Sequence, residues 1–131
     1  MQAIKKLLLN KTIYMIEDSA GSFGSTYDGK QSGTIADVGT FSFHPTKTIT
    51  TGEGGMVLTN NSKIAKKIKL FRNHGVGQGK RRYWHVVPGH NFRMSNIQAA
   101  IGYAQFVNLK KILSKRKKNY EIYKKKLLNI K

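Results

Sequence analysis

One lysine, Lys47, occupies a position from which its amine could act as a nucleophile. It follows residues 40–43, whose alternating polar and aromatic side chains predict a β-strand that Pro45 ends. It precedes the glycine-rich residues 52–55, so it lies at a strand end, where α/β proteins bind ligands. A lysine held there among apolar groups can attack a carbonyl group. In a chain with 24 lysine and arginine residues, a solvated loop lysine is the competing interpretation.

An aspartate, Asp18, is the second candidate for chemistry. It follows the β-branched and aromatic residues 12–16, which predict a buried parallel strand. Its carboxylate would then lie at the edge of the sheet where open α/β folds gather catalytic groups. The competing interpretation is a helix N-cap, because Asp18 leads into Ser19 and Ala20. The 4 histidines show no metal-ligand spacing, so we predict no metal site.

Further motifs accompany these two residues, and together they resemble the DegT/DnrJ/EryC1/StrS family from about Ile4 to Leu127. In chain order the motifs are Ile16-Glu17-Asp18-Ser19-Ala20, Ser42-Phe43-His44-Pro45-Thr46-Lys47, Gly52-Glu53-Gly54-Gly55-Met56, Arg72-Asn73-His74-Gly75, Asn91-Phe92-Arg93-Met94 and Gln98-Ala99-Ala100-Ile101-Gly102. The resemblance implies part of the large domain of a fold-type-I transferase: a mainly parallel α/β sheet flanked by helices and ending in long helices. It also implies pyridoxal 5'-phosphate (PLP) as cofactor. The implied reaction moves an amino group, usually from glutamate, to a nucleotide-linked keto sugar in polysaccharide or amino-sugar biosynthesis.

The resemblance also assigns roles to single residues. Lys47 would hold PLP covalently and move a proton during the transfer. Asp18 would contact the pyridine nitrogen and keep it protonated, and Ser42 would bind the cofactor phosphate through its hydroxyl. Three residues after the aspartate, most family members carry His, Gln or Glu near the ring oxygen of the cofactor. This chain has Gly21 there, a departure that removes the contact or leaves it to another residue.

Residues 75–89 and the segment after them are expected to meet a second subunit. The loop 75–89 is basic and aromatic, a combination that suits a nucleotide diphosphate or RNA equally well. In the family this region borders the active site of a neighbouring subunit. The next segment would cross the interface of a homodimer, where either Asn91 or Arg93 would reach the partner's cofactor phosphate.

The net charge of +18 suggests a polyanionic partner. The charge is spread over predicted helices without the aromatic signature of RNA-binding modules. We therefore expect only salt-sensitive, sequence-blind binding and no specific nucleic-acid partner. The chain has 0 cysteines, which fits a cytoplasmic protein. No apolar run approaches the ~20 residues of a membrane span, so we expect no membrane partner.

Residues 1–107 are predicted to form a partial PLP-binding large domain, and residues 108–131 a basic helix leading toward a small domain. Within them, helices are predicted at 2–9, 63–73, 95–107 and 109–130, a further strand at 56–59 and a turn at 27–30. The third helix is predicted to pack through a stripe of Ile97, Ala100, Ile101 and Ala104. Because family members are much longer, we expect a middle segment from a truncated or split reading frame or a partial structure, and an inactive chain when alone. The alternatives are a non-catalytic remnant and a basic nucleic-acid-binding module.

Overall fold

The computed structural model describes residues 1–77, 79, 83–128 and 130. In chain order its elements are α1 (Gln2–Leu8), β1 (Ile16–Asp18), β2 (Thr26–Tyr27), β3 (Lys30–Gln31), β4 (Val38–Ser42), β5 (Gly55–Leu58), α2 (Ser62–Phe71), α3 (Asn96–Phe106) and α4 (Leu109–Leu127). A three-stranded sheet has the order β1-β4-β5, and β2 and β3 form a separate hairpin. Strand β4 is therefore the central strand, and it positions the loop that follows it.

Strand β4 is paired in parallel with β1 and antiparallel with β5. The connection between β4 and β5, residues 43–54, contains no helix and returns the chain beside β4 in the opposite direction. Within the described residues the sheet is therefore mixed. The predicted strand at 40–43 is confirmed as Val38–Ser42, and the one at 56–59 as Gly55–Leu58.

The prediction of a buried strand at 12–16 is wrong in both position and burial. The strand is Ile16–Asp18, so Asp18 is its last residue and does not follow it. Ile13, Tyr14 and Ile16 are 56%, 68% and 67% exposed. The physical reason is that, among the described residues, β1 is paired only with β4 and forms an edge of the sheet. A run of apolar residues gives no information about which strands are edges.

The hydrophobic core lies on one face of β4 and is small. Phe41, Phe43 and Ile49 are buried, and Phe23 packs edge-on against both phenylalanine rings at 5.3 and 5.9 Å between ring centroids. The accessible surface is 10913 Å², whereas a compact folded monomer of 14.8 kDa exposes about 7,000 Å². Much apolar surface therefore stays exposed in these residues.

Helix α3 illustrates this exposure. Its start is as predicted, because Ser95 and Gln98 form a reciprocal capping box. The predicted packing stripe along it is wrong, since Ile97 and Ile101 are 75% and 46% exposed. Nothing in the described residues covers this face. Among those residues, no helix combines the length and apolar character needed to cross a bilayer.

Candidate active site

The register of β1 and β4 places Asp18 and Ser42 on one face of the sheet. Asp18 is paired with Thr40, and paired residues of neighbouring strands point to the same face. Ser42 lies two residues beyond Thr40 and shares that face, whereas Phe41 and Phe43 point into the core on the other. A carboxylate and a hydroxyl thus lie on one face near the ends of adjacent parallel strands.

Lys47 lies in the β4–β5 loop, which a set of backbone hydrogen bonds holds closed. The Lys47 N–H donates to the carbonyl of His44 at 3.0 Å, forming a tight turn. At the base of the loop, the Phe43 N–H donates to Gly54 and the Phe43 carbonyl accepts from Thr51, at 2.8 and 3.0 Å. Lys47 is half-buried. Its backbone is therefore fixed just beyond the strand that carries Ser42.

Two glutamines of α3 clamp the same loop. Gln105 accepts a hydrogen bond from the Thr50 N–H at 3.1 Å and donates one to the Thr50 carbonyl at 2.7 Å. Two helical turns earlier, Gln98 donates to the carbonyl of Glu53 at 2.9 Å. Sequence reasoning missed these residues. Their spacing on one helix face is visible in the sequence, but the loop that they bind is not.

We expect Gln105→Ala to loosen the Lys47 loop. Two hydrogen bonds to the Thr50 backbone are lost, which costs about 1–3 kcal/mol in unfolding free energy. Amide hydrogen exchange at Thr50, followed by NMR, should accelerate more than exchange in β4. Gln98→Ala is the matched control, because Gln98 lies on the same helix and bonds to Glu53, not to Thr50. It should show a smaller effect, and unchanged exchange in Gln105→Ala would contradict the clamp.

On the opposite face from Asp18, Glu17 ties β1 to residues 33–36. Its carboxylate accepts from the N–H groups of Gly33 and Ile35 at 2.7 and 3.0 Å. Burial raises the pKa of the Glu17 carboxyl, but hydrogen bonds from these N–H groups, from Ala36 and from the Ser19 hydroxyl outweigh it and lower the pKa. The ionised carboxylate therefore holds this loop against the strand.

This hydrogen bonding predicts an acid-sensitive contribution to stability. A carboxyl group with a lowered folded-state pKa stabilises the fold above its unfolded-state pKa, and the contribution is lost as pH falls through the folded value. The stability advantage of wild type over Glu17→Gln should therefore hold from neutral pH down to about pH 5 and shrink as the pH falls below the ordinary carboxyl pKa of 4.5. Urea unfolding at several pH values measures it, with Glu121→Gln on exposed α4 as control. An advantage that stays constant with pH would contradict the role of the charge.

Asp18 and Ser42 have the donor and acceptor chemistry that PLP requires. The Asp18 carboxylate accepts from the Ala20 N–H at 3.0 Å, which orients it. No helix follows before β2, so the N-cap interpretation is wrong and the carboxylate closes a turn. Ser42 Oγ accepts from the His44 N–H at 3.3 Å, so its own O–H remains a donor. A carboxylate for a protonated ring nitrogen and a hydroxyl for a phosphate fit the cofactor.

The Asn91 and Arg93 segment is bonded to the end of α2. Asn91 forms an antiparallel bridge with Asn73, and the Arg93 Nη1 donates to Asn73 Oδ1 at 3.2 Å. The Phe92 N–H donates to the carbonyl of Arg72 at 3.0 Å. These bonds link the segment to α2, not to β1 or β4. That Asn91 or Arg93 reaches the cofactor phosphate of a second subunit stays a prediction.

Two further expectations concern residues around this site. Gly21 is exposed, and a Cβ built on it meets nothing within 4 Å, so the departure from the family pattern leaves open space. The basic residues Lys80, Arg81 and Arg82 of the predicted nucleotide loop lie outside the described residues. We also predict that the Lys47 amine and the Asp18 carboxylate face the same cleft, and side chains on opposite faces of the sheet would contradict the cofactor assignment.

Comparison with known sequences finds a protein family whose model matches this chain. The family model of the DegT/DnrJ/EryC1/StrS aminotransferase family matches residues 1–131. GDP-perosamine synthase of Escherichia coli O157:H7 is 45% identical over 127 residues, which cover 97% of this chain and 35% of that protein. This chain therefore spans about one third of the length of the curated relatives it matches.

Comparison with solved structures agrees with the family found by sequence. Helicobacter pylori PseC, an aminotransferase involved in the biosynthesis of pseudoaminic acid, matches 98% of this chain and 35% of its own at TM-score 0.89 and 35% identity. An E. coli GDP-4-keto-6-deoxy-D-mannose-3-dehydratase with bound hydrated PLP covers 98% of this chain and 37% of its own at TM-score 0.86 and 29% identity. The α/β fold of this chain is that of part of such fold-type-I enzymes.

Proposed function

Because the chain belongs to the DegT/DnrJ/EryC1/StrS aminotransferase family, we propose that it provides the lysine-bearing part of a PLP-dependent sugar aminotransferase. The observation that carries this is the shared face of Asp18 and Ser42, followed directly by the clamped loop of Lys47. The substrate class we propose is a nucleotide-linked keto sugar, with glutamate as amino donor. The name of the E. coli relative, a GDP-perosamine synthase, supports a nucleotide-linked sugar.

Each residue has a defined task in this proposal. When bound, PLP supplies an electron sink for amino-group transfer. The Asp18 carboxylate would accept a hydrogen bond from the protonated ring nitrogen, and the Ser42 hydroxyl would donate one to the phosphate. The Lys47 amine would hold the cofactor, and its Nζ would move a proton between the reacting carbons during the transfer. A positioned amine suits this task as a general base.

The assembly that we propose is a homodimer in the cytoplasm. Residues 1–107 contribute to the large domain, and residues 108–131 lead toward a small domain. Asn91 or Arg93 of one subunit reaches the cofactor phosphate of the other. Both side chains are exposed, as a contact with a second chain requires.

A chimaera tests the proposal, because the chain matches only part of a longer relative. The matching third of the E. coli GDP-perosamine synthase is replaced by residues 1–131, and the amination of its nucleotide keto sugar is measured with glutamate. We expect activity that Lys47→Ala abolishes and that Lys63→Ala, an exposed lysine of α2, leaves unchanged.

The same chimaera can also contradict the proposal. A folded, PLP-binding chimaera without activity would identify a non-catalytic remnant. A product that has lost a hydroxyl group instead of gaining an amino group would indicate a dehydratase reaction, like the one in the name of the structurally similar E. coli enzyme. Activity that survives Lys47→Ala would remove the lysine from its assigned role.

A further inference from the structure

One histidine, His44, is bonded to both ends of the segment that runs from Ser42 to Lys47. The His44 N–H donates to Ser42 Oγ at 3.3 Å, and the His44 carbonyl accepts from the Lys47 N–H at 3.0 Å. Its ring Nδ1 lies 3.4 Å from the backbone nitrogen of Thr46 and 3.0 Å from Thr46 Oγ1. A single residue thus joins the serine at the end of β4 to the lysine in the loop.

The ring contacts define the protonation state of the imidazole. A backbone N–H can only donate, so Nδ1 accepts the Thr46 N–H with its lone pair. The proton of the neutral ring then lies on Nε2, and the Thr46 hydroxyl donates to the same Nδ1. An imidazolium has a proton on both nitrogens and could accept neither bond. The turn is therefore built around the neutral Nε2–H form of His44.

Two observations favour a task in placing Lys47 over a purely incidental turn. The far side of the loop is held from another element, because Gln105 of α3 binds both backbone groups of Thr50. On the near side, the His44 bonds provide the corresponding restraint. The ring is also exposed, so its bonds are not a by-product of core packing. Replacing it should therefore leave the fold intact and act locally.

We propose that His44 is a positioning residue for Lys47: its neutral imidazole accepts the Thr46 bonds and fixes the turn from which the lysine extends. The inference rests on the proposed function of Lys47 and adds to it a residue that makes no contact with the reacting atoms. An amine that must meet its target in one geometry reacts more slowly when its backbone samples several. Loss of the ring acceptor should therefore slow reaction at Lys47 without changing global stability.

The first measurement needs no cofactor and uses the 131-residue chain. Nitrogen-15 NMR of the histidine rings at mildly alkaline pH distinguishes a protonated from an unprotonated Nδ1, and we expect His44 in the Nε2–H form. Amide hydrogen exchange at Thr46 should accelerate about threefold to tenfold in His44→Phe, as the loss of one ordinary hydrogen bond predicts. Exchange at Thr50, which Gln105 holds, should stay unchanged.

Matched variants separate the ring acceptor from the ring itself. His44→Asn keeps an acceptor oxygen near the place of Nδ1, and asparagine readily accepts from the N–H two residues on. His44→Phe keeps a ring without an acceptor, and Thr46→Val removes the hydroxyl alone. Each variant is placed in the chimaera and mixed with PLP and borohydride, and mass spectrometry follows the rate of trapping at Lys47.

The expected order of the trapping rates is specific to a positioning role. His44→Asn should keep the wild-type rate, whereas His44→Phe should lose about threefold to tenfold. Thr46→Val should lose less, because the backbone bond to the ring remains. Urea unfolding should give the same midpoint for all variants, since the ring is exposed. A merely structural residue would instead lower the midpoint, and Asn would not restore the trapping rate.

Three results would overturn the proposal. The first is a protonated Nδ1 in the neutral ring of His44. The second is a trapping rate in His44→Phe equal to that of wild type. The third is a loss in His44→Asn as large as in His44→Phe, which would assign the effect to the ring and not to its acceptor. A wild-type chimaera without any adduct at Lys47 would contradict the proposed function instead, and the NMR measurements would still decide whether His44 holds the turn.

Discussion

Residues 1–131 alone are expected to bind PLP some hundreds-fold more weakly than the chimaera does, and to aminate no nucleotide keto sugar. The cofactor phosphate is the reason. By resemblance, the family assembles its phosphate site from several pieces, of which Ser42 is one. Each charge-assisted hydrogen bond contributes roughly 1.5–3 kcal/mol, and each 1.4 kcal/mol is about tenfold in affinity. Two or three absent contacts give the expected loss.

The large exposed surface of the chain is a second reason to expect weak PLP binding. Its 10913 Å² exceeds the ~7,000 Å² of a compact monomer of this mass by about half. Apolar side chains on β1 and α3 are uncovered, Ile16 at 67% and Ile97 at 75% exposed. A cofactor site needs walls that exclude water, and a chain this open supplies few of them. Such a surface also favours self-association, so binding should be measured at low protein concentration.

Absorbance spectroscopy and reductive trapping measure this first prediction. The chain is mixed with PLP, treated with borohydride and digested, and mass spectrometry locates any adduct. Lys47→Ala and Lys63→Ala provide the matched pair, since both remove one lysine. A stable adduct that Lys47→Ala alone removes, together with glutamate-dependent amination of a nucleotide keto sugar, would show that 131 residues suffice and that the prediction is wrong.

Local signals in the sequence predicted much of the fold. The alternation of Phe41 and Phe43 identifies β4, because a half-buried strand repeats every two residues. Ser95 followed by Gln98 predicts the start of α3, since both capping groups lie within one turn. The Asp28-Gly29 pair predicts the hairpin turn between β2 and β3, and both residues have positive φ, 52° and 72°. Each of these features depends on residues that are close in sequence.

Features that depend on distant residues were not predictable. The common face of Asp18 and Ser42 follows from a strand register that no local pattern specifies. The clamp of Gln105 on Thr50 joins residues far apart in the sequence, and so does the bond between Arg93 and Asn73. The same limit explains the error at residues 12–16. Their composition indicates a strand, whereas their burial depends on neighbours that only the tertiary structure defines.

Gly39→Ala is expected to be the most damaging small substitution near the site. Gly39 is buried within β4, and a Cβ built on it overlaps the backbone carbonyl of Gly33. A flexible side chain could move away, but a backbone carbonyl moves only with its loop. That loop is held by hydrogen bonds from Gly33 and Ile35 to the Glu17 carboxylate. The added methyl group therefore has to distort either β4 or the loop.

The backbone of Gly33 cannot easily move away from a methyl group added at Gly39. Its φ of +81° lies in the left-handed region, and a Cβ there would overlap the ring of Phe41, so the backbone already packs directly against the core. Overpacking of this kind costs about 1–3 kcal/mol, and we expect the upper end here because neither neighbour can yield. Because β4 leads directly into the Lys47 loop, reductive trapping at Lys47 in the chimaera should fall together with stability.

Gly21→Ala is the matched control for this second prediction. A Cβ at Gly21 meets nothing within 4 Å, and its φ is outside the left-handed range. The substitution should therefore change the unfolding free energy by no more than about 0.5 kcal/mol. Urea unfolding of both variants, followed by circular dichroism, gives the comparison. If Gly39→Ala unfolds at the same urea concentration as Gly21→Ala, the close approach of Gly39 to Gly33 does not constrain the sheet. The positioning of Lys47 by β4 would then need another explanation.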